Sequence, residues 1–302
     1  GGLVCVSGLW GRAAGEPSAA PWNIEAQISH VNPARLHTQL AAVPIDGTAR
    51  AHGVGTAVDF DTALQARAAP APAKTGDTRP LLLQSARARG RWADPVLTLE
   101  QLRVNTADAQ LAGSAQLHLA DGQPLGGRAD LRLQAPGRSA TAQGELQAAS
   151  GAGTLNVNLA DAARALAWLR QLPGASPPLA GVQASGSATL DGRWRGGWRD
   201  PDVHARLNAP RLSVSAGSQP AVVAHPLALT LDGRLAQAQL ALAAQLTQGP
   251  RTLDLQGAVS GGRGTPSAPL AASSWHATIS PLQARLHDSA LGPGAWRITR
   301  RS

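Results

Sequence analysis

Leu111-Ala112-Gly113-Ser114-Ala115-Gln116-Leu117-His118-Leu119 is the stretch whose reading decides the fold. Leu111, Gly113, Ala115, Leu117 and Leu119 fall on every second position, and polar or small residues fill the positions between. Successive side chains of a strand point to opposite faces, so a period of two places these aliphatics on one side of a sheet. The same alternation recurs up and down the chain. Leu131 and Leu133 alternate with Asp130, Arg132 and Gln134. Leu155, Val157 and Leu159 alternate with Asn156 and Asn158. Val203, Ala205 and Leu207 alternate with His204 and Arg206. Leu227, Leu229 and Leu231 do so with Ala228 and Thr230, and Leu253 and Leu255 with Asp254 and Gln256. One face is aliphatic throughout and the other is polar but mostly uncharged.

Turn chemistry punctuates these runs. Asp46-Gly47, Asp121-Gly122, Asp191-Gly192 and Asp232-Gly233 are dipeptides of tight hairpins, and Asp94-Pro95 and Asp200-Pro201 are further breaks. The spacing predicts roughly fifteen antiparallel strands. One segment departs from the period of two. Asp161 to Leu172 is rich in helix formers, Asp161 can cap its first turn, and Pro173-Gly174 stops it. A short helix is expected near 161–172, packed at a sheet edge. Residues 68–80 and 261–269 read as linkers. Neither divides regions of different composition, so residues 22–302 read as one continuous architecture, with 1–21 as a first strand or the remnant of an anchor. Trp296 to Ser302 reads as a strand in progress, and with no methionine in the chain an internal piece of a longer protein is expected.

Composition narrows the function classes. Of 302 residues 43% are hydrophobic but only 15% are charged, and Gly 33 with Pro 22 suit many short strands better than long helices. The net charge of +8 is carried almost wholly by arginine. The arginines are spread thinly and aromatics are only 3%, so the basic stripe and stacking platform of a nucleic-acid binder are missing, and nucleic acid is not expected as a partner. Cys5 is the one cysteine, which rules out an internal disulfide.

No constellation of residues carries recognisable chemistry. The eight histidines show no metalloprotease spacing and no Cys/His cluster. Asp59 and Asp61 share a strand face, yet two carboxylates are too few to hold a cation. Gly261-Gly262-Arg263-Gly264-Thr265 lacks the lysine of a phosphate loop. The expectation is a protein that is not an enzyme and has no cofactor and no metal. The densest basic and aromatic cluster is Arg193, Trp194, Arg195, Trp198 and Arg199. It reads either as a contact for an anionic headgroup or partner, or as a hairpin whose indoles cover the sheet rim.

Several stretches resemble the steps of a known family. Leu190 to Trp194, Asp200 to Leu207 and Ala209 to Val214 resemble the repeating Gly-x-Trp/Leu, Pro-x-Leu-x-Ala-x-Leu pattern of the TamB family, the inner-membrane component of the translocation and assembly module. That family lies within the AsmA-like repeating β-groove group. Arg91 to Val104 and Ala109 to Leu119 resemble the same step. Asn32-Pro-Ala-Arg-Leu36 and Leu159 to Leu166 resemble the insert between the family's repeats. A weak internal repeat, Gly90 to Val96 against Gly197 to Val203, fits such modules.

The resemblance implies a mainly all-β fold, a long twisted antiparallel sheet curled into an open groove. It further implies a periplasmic scaffold whose parent is anchored in the inner membrane. Such a scaffold would carry phospholipid acyl chains or unfolded outer-membrane strands between the two membranes, together with an outer-membrane barrel partner. The residues expected to line the groove are Leu97, Leu99, Leu111, Leu117, Leu119, Leu131, Leu133, Leu155, Val157, Leu190, Val203, Leu207, Leu227, Leu229, Leu231, Leu253 and Leu255. Two other classes stay open on the residues alone. A surface-exposed β-solenoid or adhesin would show polar ladders of Asn, Thr and Ser, and an envelope hydrolase would need a single indispensable His or Asp.

Overall fold

The computed structural model describes residues 3–10, 21–35, 38, 40–67, 81–120, 123–172, 174–175, 177–263, 275–291 and 295–300. The chain is mainly β, with antiparallel strands and one short α-helix. It divides into two compact units, the first comprising 1–136 and 167–178 and the second 137–166 and 179–302.

The first unit is a meander of eight strands: β1 (Leu3–Trp10), β2 (Pro21–Val31), β3 (Ile45–Val54), β4 (Ala57–Ala66), β5 (Leu83–Ala93), β6 (Val96–Thr106), β7 (Gln110–Ala120) and β8 (Gln123–Ala135). Each pairs antiparallel with the next. The register lines up whole rows of side chains across the strands. One row runs Trp22–Gly53–Val58–Trp92–Leu97–Leu117–Gly127, and a parallel one runs Ile28–Gly47–Leu64–Ala86–Val104–Leu111–Leu133. On the opposite face a row runs Asn23–His52–Asp59–Arg91–Thr98–Gln116–Arg128. Alternation within each strand thus becomes an apolar side and a polar side of the whole unit.

The second unit contains β9 (Arg138–Leu146), β10 (Gly151–Leu159), β11 (Val182–Arg195), β12 (Asp202–Ala216), β13 (Val222–Arg234), β14 (Gln237–Gln248), β15 (Arg251–Arg263), β16 (Trp275–Asp288) and β17 (Ala295–Arg300). These also pair in succession. Its central apolar row is Ala140–Val157–Leu190–Leu207–Leu229–Leu242–Gly257–Leu282. The polar row beside it is Thr154–Arg193–His204–Asp232–Gln239–Ser260–Thr278. Among the described residues no ladder joins the first strand of either unit to its last, so neither meander closes on itself.

Register shifts bend these strands. Pro210, Pro226 and Pro281 fall inside β12, β13 and β16, where proline would remove a ladder hydrogen bond, and all three lie at a break in register. The ladder is interrupted there anyway, which is why proline is tolerated. In the first unit β6 carries an irregularity between Leu99 and Leu102.

The helix α1 (Ala162–Leu169) starts as expected. The Asp161 carboxylate accepts a hydrogen bond from the Arg164 backbone N–H at 3.0 Å. Its first turn lies over Gly137, whose φ of 71° suits glycine and whose missing side chain leaves room for the Asp161 carbonyl. Ala165, Leu166 and Trp168 are buried.

Several sequence expectations are corrected. Asp46-Gly47 lies inside β3 and Asp191-Gly192 inside β11, so neither is a turn. A Cβ on Gly47 would collide with the Ala63 carbonyl, so that glycine serves close strand approach instead. Asp232-Gly233 lies inside β13, which ends at Arg234, and the two-residue turn is Leu235-Ala236. Asp121-Gly122 lies outside the described residues. Asp94-Pro95, with a cis peptide bond, does form the β5–β6 turn. The strands number seventeen among the described residues. Residues 261–263 belong to β15, while 264–269 and 68–80 lie outside the described residues.

Candidate functional site: a leucine-lined face

In a sandwich, facing sheets bury large side chains against each other. Here no large side chain among the described residues is fully buried. The best-buried position of the apolar face is Ala209 at 1%, and Ile45, Ala188, Ala224 and Ala244 are also buried. Larger neighbours shelter the alanines, such as Leu227, which is paired with both Ala209 and Ala244. Among the described residues the close backbone contacts between strands run along the ladders of successive strands, so each unit is built as a meander whose aliphatic side lines up from strand to strand.

The register places all seventeen expected lining residues on that side. Leu97, Leu99, Leu111, Leu117, Leu119, Leu131 and Leu133 occupy apolar positions in the first unit. Leu155, Val157, Leu190, Val203, Leu207, Leu227, Leu229, Leu231, Leu253 and Leu255 occupy them in the second. Every one is half-buried, neither sealed in nor fully bared. That state fits a surface that can accept an apolar ligand with little rearrangement.

Two hollows open on the apolar side of the second unit. They follow a row in which glycine and alanine predominate and Trp194 and Val203 are the larger members, Gly144–Gly153–Trp194–Val203–Gly233–Ala238–Gly261–Ala277. One hollow, of about 400 Å³, sits over Gly233, Ala238 and Gly261 with Leu231, Leu240 and Val259 as its wall. The other, of about 330 Å³, is bounded by Leu155, Leu190, Gly192, Trp194, Trp198 and Val203. Both fall in the size range of small-molecule sites. The role of Gly192 explains why Asp191-Gly192 is misleading in the sequence: the absent side chain widens a hollow and makes no turn.

The Arg/Trp cluster separates in space. Trp194 lies on the apolar face over Gly153, and its indole N–H donates to the Glu145 carbonyl at 3.1 Å. Arg193 and Arg195 point to the opposite, polar face and are exposed. Trp198 and Arg199 belong to the β11–β12 connection, where the Trp198 N–H donates to the Gln147 carbonyl at 2.8 Å. The Arg199 guanidinium stands 5.6 Å from the Trp198 ring centre, at the rim of the smaller hollow.

The polar face is tied by exposed ion pairs. Arg50 meets Glu25 at 2.9 Å, and Asp59 lies between His52 at 3.5 Å and Arg91 at 3.9 Å. Those contacts account for Asp59. His204 Nδ1 lies 2.9 Å from the Asp232 carboxylate, a pairing across β12 and β13 that the sequence pattern does not announce. Among the described residues no group of three or more His, Cys, Asp or Glu side chains converges as a metal site. No described helix is long and apolar enough to cross a membrane.

No family model matches the chain, and no curated protein or solved structure matches it.

Proposed function

We propose that this chain is a scaffold that shelters lipid acyl chains, or unfolded apolar strands, along the leucine-lined side of its sheets. The role is the one the resemblance to the TamB family implies: periplasmic passage of phospholipid, or assembly of outer-membrane protein, between the two membranes of a diderm bacterium. An outer-membrane barrel protein would be its partner. One observation carries the reading: rows of half-buried leucine run across consecutive strands and open into two apolar hollows. Burying an acyl chain against such a surface gains about 0.8 kcal/mol per CH₂ without any directional contact. A ligand held that way can slide from row to row, because each step exchanges one aliphatic contact for an equivalent one. Hollows over glycine and alanine provide depth, and Trp198 with Arg199 at a rim suits a headgroup emerging from it.

The test is the lipid content of the purified chain, extracted and weighed by mass spectrometry. Phospholipid should co-purify with the wild type, and Leu117→Asp and Leu229→Asp should lower its amount several-fold while far-UV circular dichroism stays the same. A folded wild type that is reproducibly free of lipid contradicts the proposal.

A further inference from the structure

A third hollow lies on the polar face of the first unit, and its volume is about 420 Å³. Its wall mixes the polar side chains of Asp46, Thr48, Gln65, Ser85, Gln101 and Asn105 with Ala63, Leu64 and Ala86. Two arginines, Arg87 on β5 and Arg103 on β6, stand directly opposite one another in the register. Cross-strand partners have their Cβ atoms about 5 Å apart, and like charges placed so are unfavourable unless an anion lies between them. Other arginines of this face have acidic partners, Arg50 with Glu25, Arg89 with Glu100 and Arg91 with Asp59. Among the described residues no carboxylate pairs with Arg87 or Arg103. The acids at hand have other partners: Asp46, itself in the wall of the hollow, takes Arg67 at 3.1 Å and the His30 backbone N–H at 2.8 Å, and Glu100 takes Arg89.

The neutral wall is itself organised. Asn105 Nδ2 donates to the Ser85 hydroxyl at 2.8 Å, which fixes both side chains at the end of the hollow. Ala63 stands between Thr48 and Arg87 in the same row, so a small side chain keeps the floor low where a larger one would fill it. Two arginines from adjoining strands line this one depression. Guanidinium forks match the oxygens of a phosphoryl group, and flanking amides and hydroxyls match the hydroxyls of a small polyol.

We propose that this depression binds a phosphorylated polyol, the chemistry shared by a glycerophospholipid headgroup and a free sugar or glycerol phosphate. It is distinct from the apolar face, and its arginines make no part of that surface.

Titration of the full chain with sn-glycerol 3-phosphate by calorimetry, and flotation with phosphatidylglycerol vesicles against phosphatidylcholine vesicles, test the proposal and separate the two sources. Arg87→Gln or Arg103→Gln should weaken binding about tenfold. Arg211→Gln, an exposed arginine of the second unit, should leave it unchanged. Arg103→Lys keeps the charge but loses the fork and should fall between. Loss of glycerol phosphate binding in the glutamine variants identifies a free phosphate as sufficient. Loss confined to phosphatidylglycerol vesicles identifies the membrane headgroup. Melting curves of the variants without anion should be no lower than wild type, which certifies the fold. No binding of either probe by wild type, or equal binding by wild type and both glutamine variants, overturns the proposal.

Discussion

At the scale of single residues, glycine and tryptophan share the work of the apolar face. Trp194 lies over Gly153, and Trp22 comes within 2.7 Å of where a side chain on Gly53 would begin. An aromatic ring that covers a neighbouring glycine replaces the contact area the glycine lacks. Trp194→Ala should therefore cost about 2 kcal/mol, read as a lower midpoint in urea unfolding. At the far end of the same unit, Asp288 is almost buried beside Arg251. The hydrogen bond from Arg251 Nε at 3.0 Å, helped by the Ala290 backbone N–H, holds its carboxyl below the usual carboxylate range. A carboxyl lowered by folding stabilises the folded state above its unfolded value, near about 4. The contribution disappears as pH falls below that. Asp288→Asn should thus lower the melting temperature at pH 6, and the gap between variant and wild type should narrow on acidification to pH 3.

At the scale of elements, alternation is the strongest message in the chain because it is repeated in every strand and a slip of one residue would invert both faces. Leu111 to Leu119 and Leu227 to Leu231 therefore reveal their faces without coordinates. The helix was equally legible, since Asp161 and the apolar spacing of Ala165, Leu166 and Leu169 agree with each other. Its cap is worth about 1 kcal/mol. Asp161→Ala should lower the melting temperature accordingly and reduce the helical part of the circular dichroism. Turns were less legible. Asp-Gly favours a hairpin locally, but in β3 and β11 the strand pairing on both sides outweighs that preference, and the glycine is needed for close approach or for space. The pairing of Arg87 with Arg103 was hidden for a different reason. It depends on the β5–β6 register, which is itself interrupted between Arg89 and Gly90, so no counting along the sequence brings the two together.

At the scale of the molecule, each unit carries a polar side, tied by ion pairs in the first unit and by His204 with Asp232 in the second, and an aliphatic side lined by half-buried leucines. Half-buried leucine gains further stability if something apolar comes to it or if curvature narrows the opening. The irregularities at Pro210, Pro226 and Pro281 supply the local bends. Filling a hollow separates binding from folding. Ala238→Leu places added volume in the 400 Å³ hollow, where the half-buried Ala238 forms part of the floor. Lipid loading should fall severalfold with the melting temperature nearly unchanged. The most direct measurement is photo-crosslinking to a phospholipid with a diazirine in its acyl chain, with a photoreactive phenylalanine placed in turn at Leu229, Leu231, Thr230 and Asp232. Adducts should form at Leu229 and Leu231, on the aliphatic side, and be absent at Thr230 and Asp232. Equal labelling of the two sets, or none at either leucine, would contradict the account.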